Sequence, residues 1–130
     1  MNILITLPPN LVEKIISGEK KYEMRKCVPE HLRLGVDGFY VVEKGPDNVR
    51  CWCRVDYNLK VYPDSLMVKK YASRIGVSEA YMNRYANGKK VYLWHIDKVI
   101  SFSNLKRDSL YVRRNPQQFA YCPISYGESF

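Results

Sequence analysis

The residues with the most chemical content lie in Gly18-Glu19-Lys20-Lys21-Tyr22-Glu23-Met24-Arg25. On extended backbone, side chains two apart share a face, so Glu23 and Arg25 can converge on one ligand. Arg25 offers a planar fork suited to phosphate or a base edge, and Glu23 can accept from an exocyclic amine. Lys20 supplies a point charge that enters chemistry if its pKa is lowered. The simpler alternative is an exposed Glu23–Arg25 pair, worth about 0–1 kcal/mol, beside a solvated Lys20.

A second candidate surface lies on the segment from Val49 to Tyr62, where Arg50, Trp52, Arg54, Lys60 and Tyr62 interleave cations with aromatic rings. Stacking a base on such a ring is worth about 1–3 kcal/mol, and the cations would follow a phosphate backbone. An ordinary solvated sheet face with Trp52 covered by a helix is the alternative. Lys69, Lys70, Arg74, Arg84, Lys89 and Lys90 extend the basic surface, and Arg113-Arg114 adds to it. His95, between Trp94 and Ile96, reads as a packed, hydrogen-bonded ring rather than a general base. Cys27, Cys51, Cys53 and Cys122 form no C-x-x-C pair, and only His31 and His95 supplement them, which gives neither zinc spacing nor a redox pair. No metal or cofactor is expected, and no phosphate-binding loop or dinucleotide fingerprint occurs.

The elements that position these residues follow from periodicity and punctuation. Asn2 to Leu7 is a short apolar run stopped by Pro8-Pro9 and reads as a buried strand. A helix follows, with Asn10 as its N-cap, Glu13 completing a capping box, Leu11, Val12, Ile15 and Ile16 on one face, and Gly18 as its end. Lys20 to Lys26 reads as a strand with a charged face (Lys21, Glu23, Arg25) and a packing face (Tyr22, Met24). Phe39 to Glu43 is a strand, Gly45-Pro46-Asp47-Asn48 its turn, and Val49 to Tyr62 a strand long enough to require a bend or bulge. Asp64 opens a helix closed by Gly76, and Ser78 caps another with Tyr81 and Tyr85 on one stripe and Asn87-Gly88 as its stop. Val91 to Phe102 is the last long strand, Lys106 to Arg114 a loop or short helix, and Pro116 to Ile124 an edge strand. Strands and helices that do not alternate regularly favour an α+β fold.

With 130 residues, one domain over 1–130 is expected. Lys+Arg 21 against Asp+Glu 13 gives a formal charge of +8, which permits a polyanionic partner. At 46% hydrophobic and 26% charged residues, the composition argues against disorder and fibrous repeats. The lack of a long apolar run and of a basic leader after Met1 leads to the expectation of a cytoplasmic protein with no membrane contact.

The motif G-x-K-x-x-E-x-R over Gly18–Arg25 resembles the signature of the ASCH domain family. The preceding helix, Val12-Glu13-Lys14-Ile15-Ile16-Ser17, agrees. Ser78 to Phe102 is similar to the stretch of bacterial and phage ASCH proteins with a helix, an Asn-Gly or Gly-Lys turn and a Trp-His-Ile strand. Asn115-Pro116-Gln117-Gln118-Phe119-Ala120-Tyr121 resembles the Pro-Pro-Gln-Ser-aromatic ending of those proteins. The resemblance implies a PUA-like small β-barrel with flanking helices and contact with RNA or modified bases in a cleft between barrel and helix. Lys20, Arg25, Arg50, Trp52 and Arg54 would then bind nucleic acid. Some relatives are amidohydrolases acting on an acetylated cytidine and others are linked to RNA cleavage, which makes Lys20 and Glu23 candidate catalytic groups. The amidohydrolases carry a threonine three residues after the lysine, where this chain has Glu23. A third expectation is a protein-interaction factor of phage or bacterial origin, since a small basic domain can equally meet an acidic protein surface.

Overall fold

A computed structural model of the chain describes residues 2–29, 38–110, 112, 116 and 119–122. In chain order the elements are β1 (Asn2–Leu7), α1 (Pro9–Ile16), β2 (Tyr22–Arg25), β3 (Gly38–Glu43) and β4 (Val49–Val61). There follow α2 (Ser65–Ile75), α3 (Glu79–Ala86), β5 (Val91–Ser101), a 3-10 turn (Arg107–Leu110) and β6 (Ala120–Cys122). The six strands form one sheet in the order β2-β5-β4-β3-β1-β6. Among the described residues, β1 and β3 pair in parallel and the other four pairs are antiparallel. The α+β expectation holds, with β2 and β6 as edges of an open sheet rather than partners closing a barrel. His31 and Arg113-Arg114 lie outside the described residues, as do Asn115, Gln117 and Gln118 of the Asn115–Tyr121 segment.

Both faces of the sheet are covered. On one, Val12 and Ile15 of α1 pack with Ile3, Ile5, Phe39, Val41, Cys53 and Trp94. On the other, Leu110 and Val112 pack with Leu4, Tyr40, Val42, Trp52 and Cys122. A third cluster joins Val68, Tyr71 and Ile75 of α2 and Met82 of α3 to Tyr22, Met24 and Leu93 at the β2–β5 end. Trp52 is therefore interior, 5% exposed, with its indole Nε1 donating to Asn2 Oδ1 at 2.9 Å. It is not available as the stacking ring expected on that face, because it packs in one cluster with Leu110, Val112 and Cys122.

Helix boundaries follow local chemistry except at α1. Its first residue is Pro9, with Pro8 at the N-cap and no side-chain cap, so Asn10 is inside the helix. Proline suits the first helical position because its missing N–H would have no helical acceptor there. Asp64 and Ser78 cap α2 and α3 by accepting from Met67 N and Tyr81 N, and Gly76 and Asn87 end them in the left-handed region. β4 does bend. Arg54 pairs with Lys98, Val55 with Ile96 and Asn58 with Trp94, which leaves one extra residue on β5 and then one on β4.

Candidate functional site

Gly18 leaves α1 at φ +85°, a conformation other residues adopt only with strain, and turns the chain toward α2. The Lys20 amide then donates to Lys14 O at 2.9 Å, and the Lys21 amide to Arg74 O at 2.6 Å. At the end of α2, Gly76 has φ +88°, and a Cβ there would stand 3.2 Å from Lys14 Cδ. Its carbonyl accepts from Lys14 Nζ at 2.9 Å. These contacts bring α1, the C-terminus of α2 and edge strand β2 together around the motif.

Lys20, Glu23 and Arg25 are interior, unlike the exposed pair weighed as the simpler alternative, while Lys21 is exposed. Lys20 and Glu23 are 2% and 3% exposed. Lys20 Nζ reaches Tyr22 O at 2.8 Å, Ile75 O at 2.7 Å and Glu23 Oε1 at 3.0 Å, which occupies all three ammonium protons. Arg25 Nε donates to the other carboxylate oxygen of Glu23 at 2.6 Å. Burial lowers the Lys20 pKa, and the opposing pull of the Glu23 carboxylate does not restore it. Burial alone would raise the Glu23 pKa, yet Lys20 and Arg25 together hold it below the ordinary carboxylate value. Cys53, close behind them, has its thiol pKa pushed well up by burial and by Cys51, whose sulfur is 4.0 Å away, so it is no nucleophile at neutral pH.

A cleft of about 570 Å³ opens over this cluster. Lys20, Glu23 and Arg25 lie along its floor, Leu11 and Lys14 of α1 form one wall, and Tyr81, Arg84 and Tyr85 of α3 form the other. The two tyrosine rings are nearly parallel, with centroids 6.4 Å apart. Arg84 lies 5.9 Å from the Tyr81 centroid, and Lys26 Nζ lies 4.9 Å from that of Tyr85. The Thr6 hydroxyl, in a residue of the same lining, finds no hydrogen-bond partner among the described residues. The arrangement can present the Arg84 guanidinium and the Tyr81 and Tyr85 rings, with the Arg25 guanidinium beneath them, to a flat, polar, anionic molecule.

The structure brings Lys20, Glu23 and Arg25 together and leaves the second surface elsewhere. Arg50 is engaged by two carboxylates, Glu13 at 2.8 Å and Glu43. Arg54 forks onto Asp97, with Nε–Oδ1 at 3.0 Å and a terminal nitrogen to Oδ2 at 2.6 Å. Lys60 rests 5.9 Å from the exposed Tyr62 ring. His95 is hydrogen-bonded as expected, its Nδ1 2.6 Å from Asp56 Oδ1. In the sequence Tyr81 and Tyr85 share one stripe and Arg84 counts toward a basic surface, with nothing local joining them to the motif. The usable signal was an i, i+4 aromatic pair with an arginine between, directly after the Ser78 cap.

Three solved structures share this architecture. A serine-to-alanine mutant of ASCH from Zymomonas mobilis superposes with a TM-score of 0.80 at 18% identity, covering 98% of this chain and 91% of that one. A tyrosine-to-phenylalanine mutant of the same protein gives 0.77 at 18% identity over 98% and 93%. The ASCH protein without those substitutions gives 0.77 at 18% identity over 98% and 90%. No family model matches the chain, and no curated protein matches it. At this identity the likeness speaks for architecture, and on that basis the chain has the PUA-like fold of ASCH domains.

Proposed function

We propose that the protein is a nucleic-acid-binding module that takes a base or nucleotide of RNA into the cleft beside the G-x-K-x-x-E-x-R motif. The observation that carries this reading is the buried Glu23–Arg25 pair on the floor of a cleft of about 570 Å³ walled by Tyr81 and Tyr85. The volume falls in the ordinary range for small-molecule sites, roughly 300–1,000 Å³. The net charge of +8 supports a polyanionic partner. Fluorescence anisotropy with labelled single-stranded RNA tests it. Affinity is expected to fall steeply with salt, and Arg25→Ala and Arg84→Ala to weaken it; binding that is absent at low ionic strength refutes the reading.

A second reading, a hydrolase acting on RNA or a modified nucleoside, is favoured by the buried Lys20–Glu23 contact of 3.0 Å and the lowered Lys20 pKa. Lys20 would need to shed one of three protons, each now donated to its own acceptor, with Glu23 as partner acid or base. Equal turnover of RNA or an acylated nucleoside by the protein and by Lys20→Ala removes this reading. On this reading residues 1–130 are one domain that works in the cytoplasm, where the neighbouring Cys51 and Cys53 thiols stay reduced.

A further inference from the structure

The one-residue slip in β4 between Val55 and Asn58 has turned Tyr57 outward, 40% exposed, although strict alternation would bury it. Its ring is held from two sides. One face stacks on His95 at 4.4 Å and 15°, and its hydroxyl is 2.8 Å from that of Tyr22. Burial and the bond to Tyr57 push the Tyr22 phenol up to about 12, so the hydroxyl pair persists at neutral pH. Asp56 accepts the Nδ1 proton of His95 at 2.6 Å and fixes the backing ring. With one face on His95, the hydroxyl on Tyr22 and the Tyr22 ring set at 72° to it with centroids 6.3 Å apart, Tyr57 still keeps 40% of its surface exposed. This plate lies apart from the cleft, whose lining contains none of these residues.

Beside the plate runs a basic helix. Tyr22 meets Tyr71 of α2 edge-on at 5.5 Å, and Lys70 Nζ lies 5.3 Å from the Tyr71 centroid. Arg74 is close enough to act electrostatically on the Tyr22 phenol. Residues Ser65–Ile75 contain no carboxylate, and the exposed positions include Lys69, Lys70 and Arg74. The nearby acids are engaged, Asp56 with His95 and Asp97 with Arg54. We propose that Tyr57, backed by His95, is a second nucleic-acid contact that stacks one base of a single strand while its phosphates pass along Lys70 and Arg74 of α2. Ring faces recognise any base, so the site adds affinity without selecting sequence.

The inference rests on the nucleic-acid reading but not on the cleft, and the test separates them. The probe is a fluorescein-labelled dodecauridylate, titrated with the protein, Tyr57→Ala, Tyr57→Phe and Arg84→Ala at one salt concentration. Tyr57→Ala is expected to weaken binding about 10-fold, and Tyr57→Phe, which keeps the ring, to retain it. Because Tyr57→Ala removes packing, photocrosslinking of 5-iodouridine RNA to the unsubstituted protein gives a readout independent of folding, with the adduct expected on the peptide containing Tyr57. Loss in Tyr57→Ala with no change in Arg84→Ala upholds the plate and refutes the cleft. Unchanged affinity in Tyr57→Ala, or adducts confined to other peptides, overturns the plate whatever Arg84→Ala does. No binding by the unsubstituted protein overturns both.

Discussion

Replacing Glu23 by Gln keeps the size of the side chain and removes its charge. The carboxylate faces two buried cations, Lys20 at 3.0 Å and Arg25 at 2.6 Å, with side chains only 1% and 9% exposed. Taking one partner from a buried ion pair costs about 3–5 kcal/mol, because the remaining charge stays desolvated without its counter-charge. For a chain of 130 residues that corresponds to a fall in Tm of roughly 10–20 °C. Thermal unfolding followed by circular dichroism at pH 7 measures it. The deficit should shrink as pH rises. Burial holds the folded-state pKa of Lys20 below its ordinary 10.5 and Glu23 pulls it back up, so without Glu23 it drops further; between the folded value and 10.5 the unfolded chain binds more protons, and the variant gains more stability with rising pH than the parent does. Adding Lys20→Met to Glu23→Gln should restore part of the loss, since the second change removes a charge the first stranded. A Tm within about 3 °C of the parent at pH 7 would show that the cluster is hydrated and that the burial argument is wrong.

Three further outcomes are expected. The folded-state pKa of Glu23 is lowered, so its stabilisation is complete above its ordinary 4.5 and disappears as pH falls through the folded value; acid titration should narrow the gap between the parent and Glu23→Gln. Gly76→Ala forces a side chain into φ +88° against Lys14, and chemical denaturation should show a loss of about 1–3 kcal/mol. Trp52→Phe removes the hydrogen bond to Asn2 and should cost about 1 kcal/mol in the same assay. Its RNA affinity should match that of the parent, and a loss of affinity in a folded Trp52→Phe protein would restore Trp52 as a contact.

What the sequence disclosed is what is decided within a few residues. Asp64, Gly76, Ser78 and Asn87 mark α2 and α3 because capping acts between near neighbours, and these boundaries were legible to within a residue. The convergence of Lys20, Glu23 and Arg25 was legible as a pattern but not as a buried cluster. Burial depends on Ile75, 55 positions from Lys20, and on α3. Trp52 was misplaced because the residues that cover it, Leu110, Val112 and Cys122, belong to a distant segment whose docking no local pattern announces. Tyr57 escaped because one inserted residue in β4 reverses the sense of alternation without leaving a mark in composition.

Lys20 ties the carbonyl of Ile75 to strand β2 with the same ammonium group that holds Glu23 in place beneath the cleft. Whoever seeks to retune the ligand preference of this protein by editing that floor will be pulling out a rivet that joins a helix to the sheet. Variation is safer on the α3 side, where the ring and cation contacts of Tyr81 and Arg84 among the described residues stay within that helix.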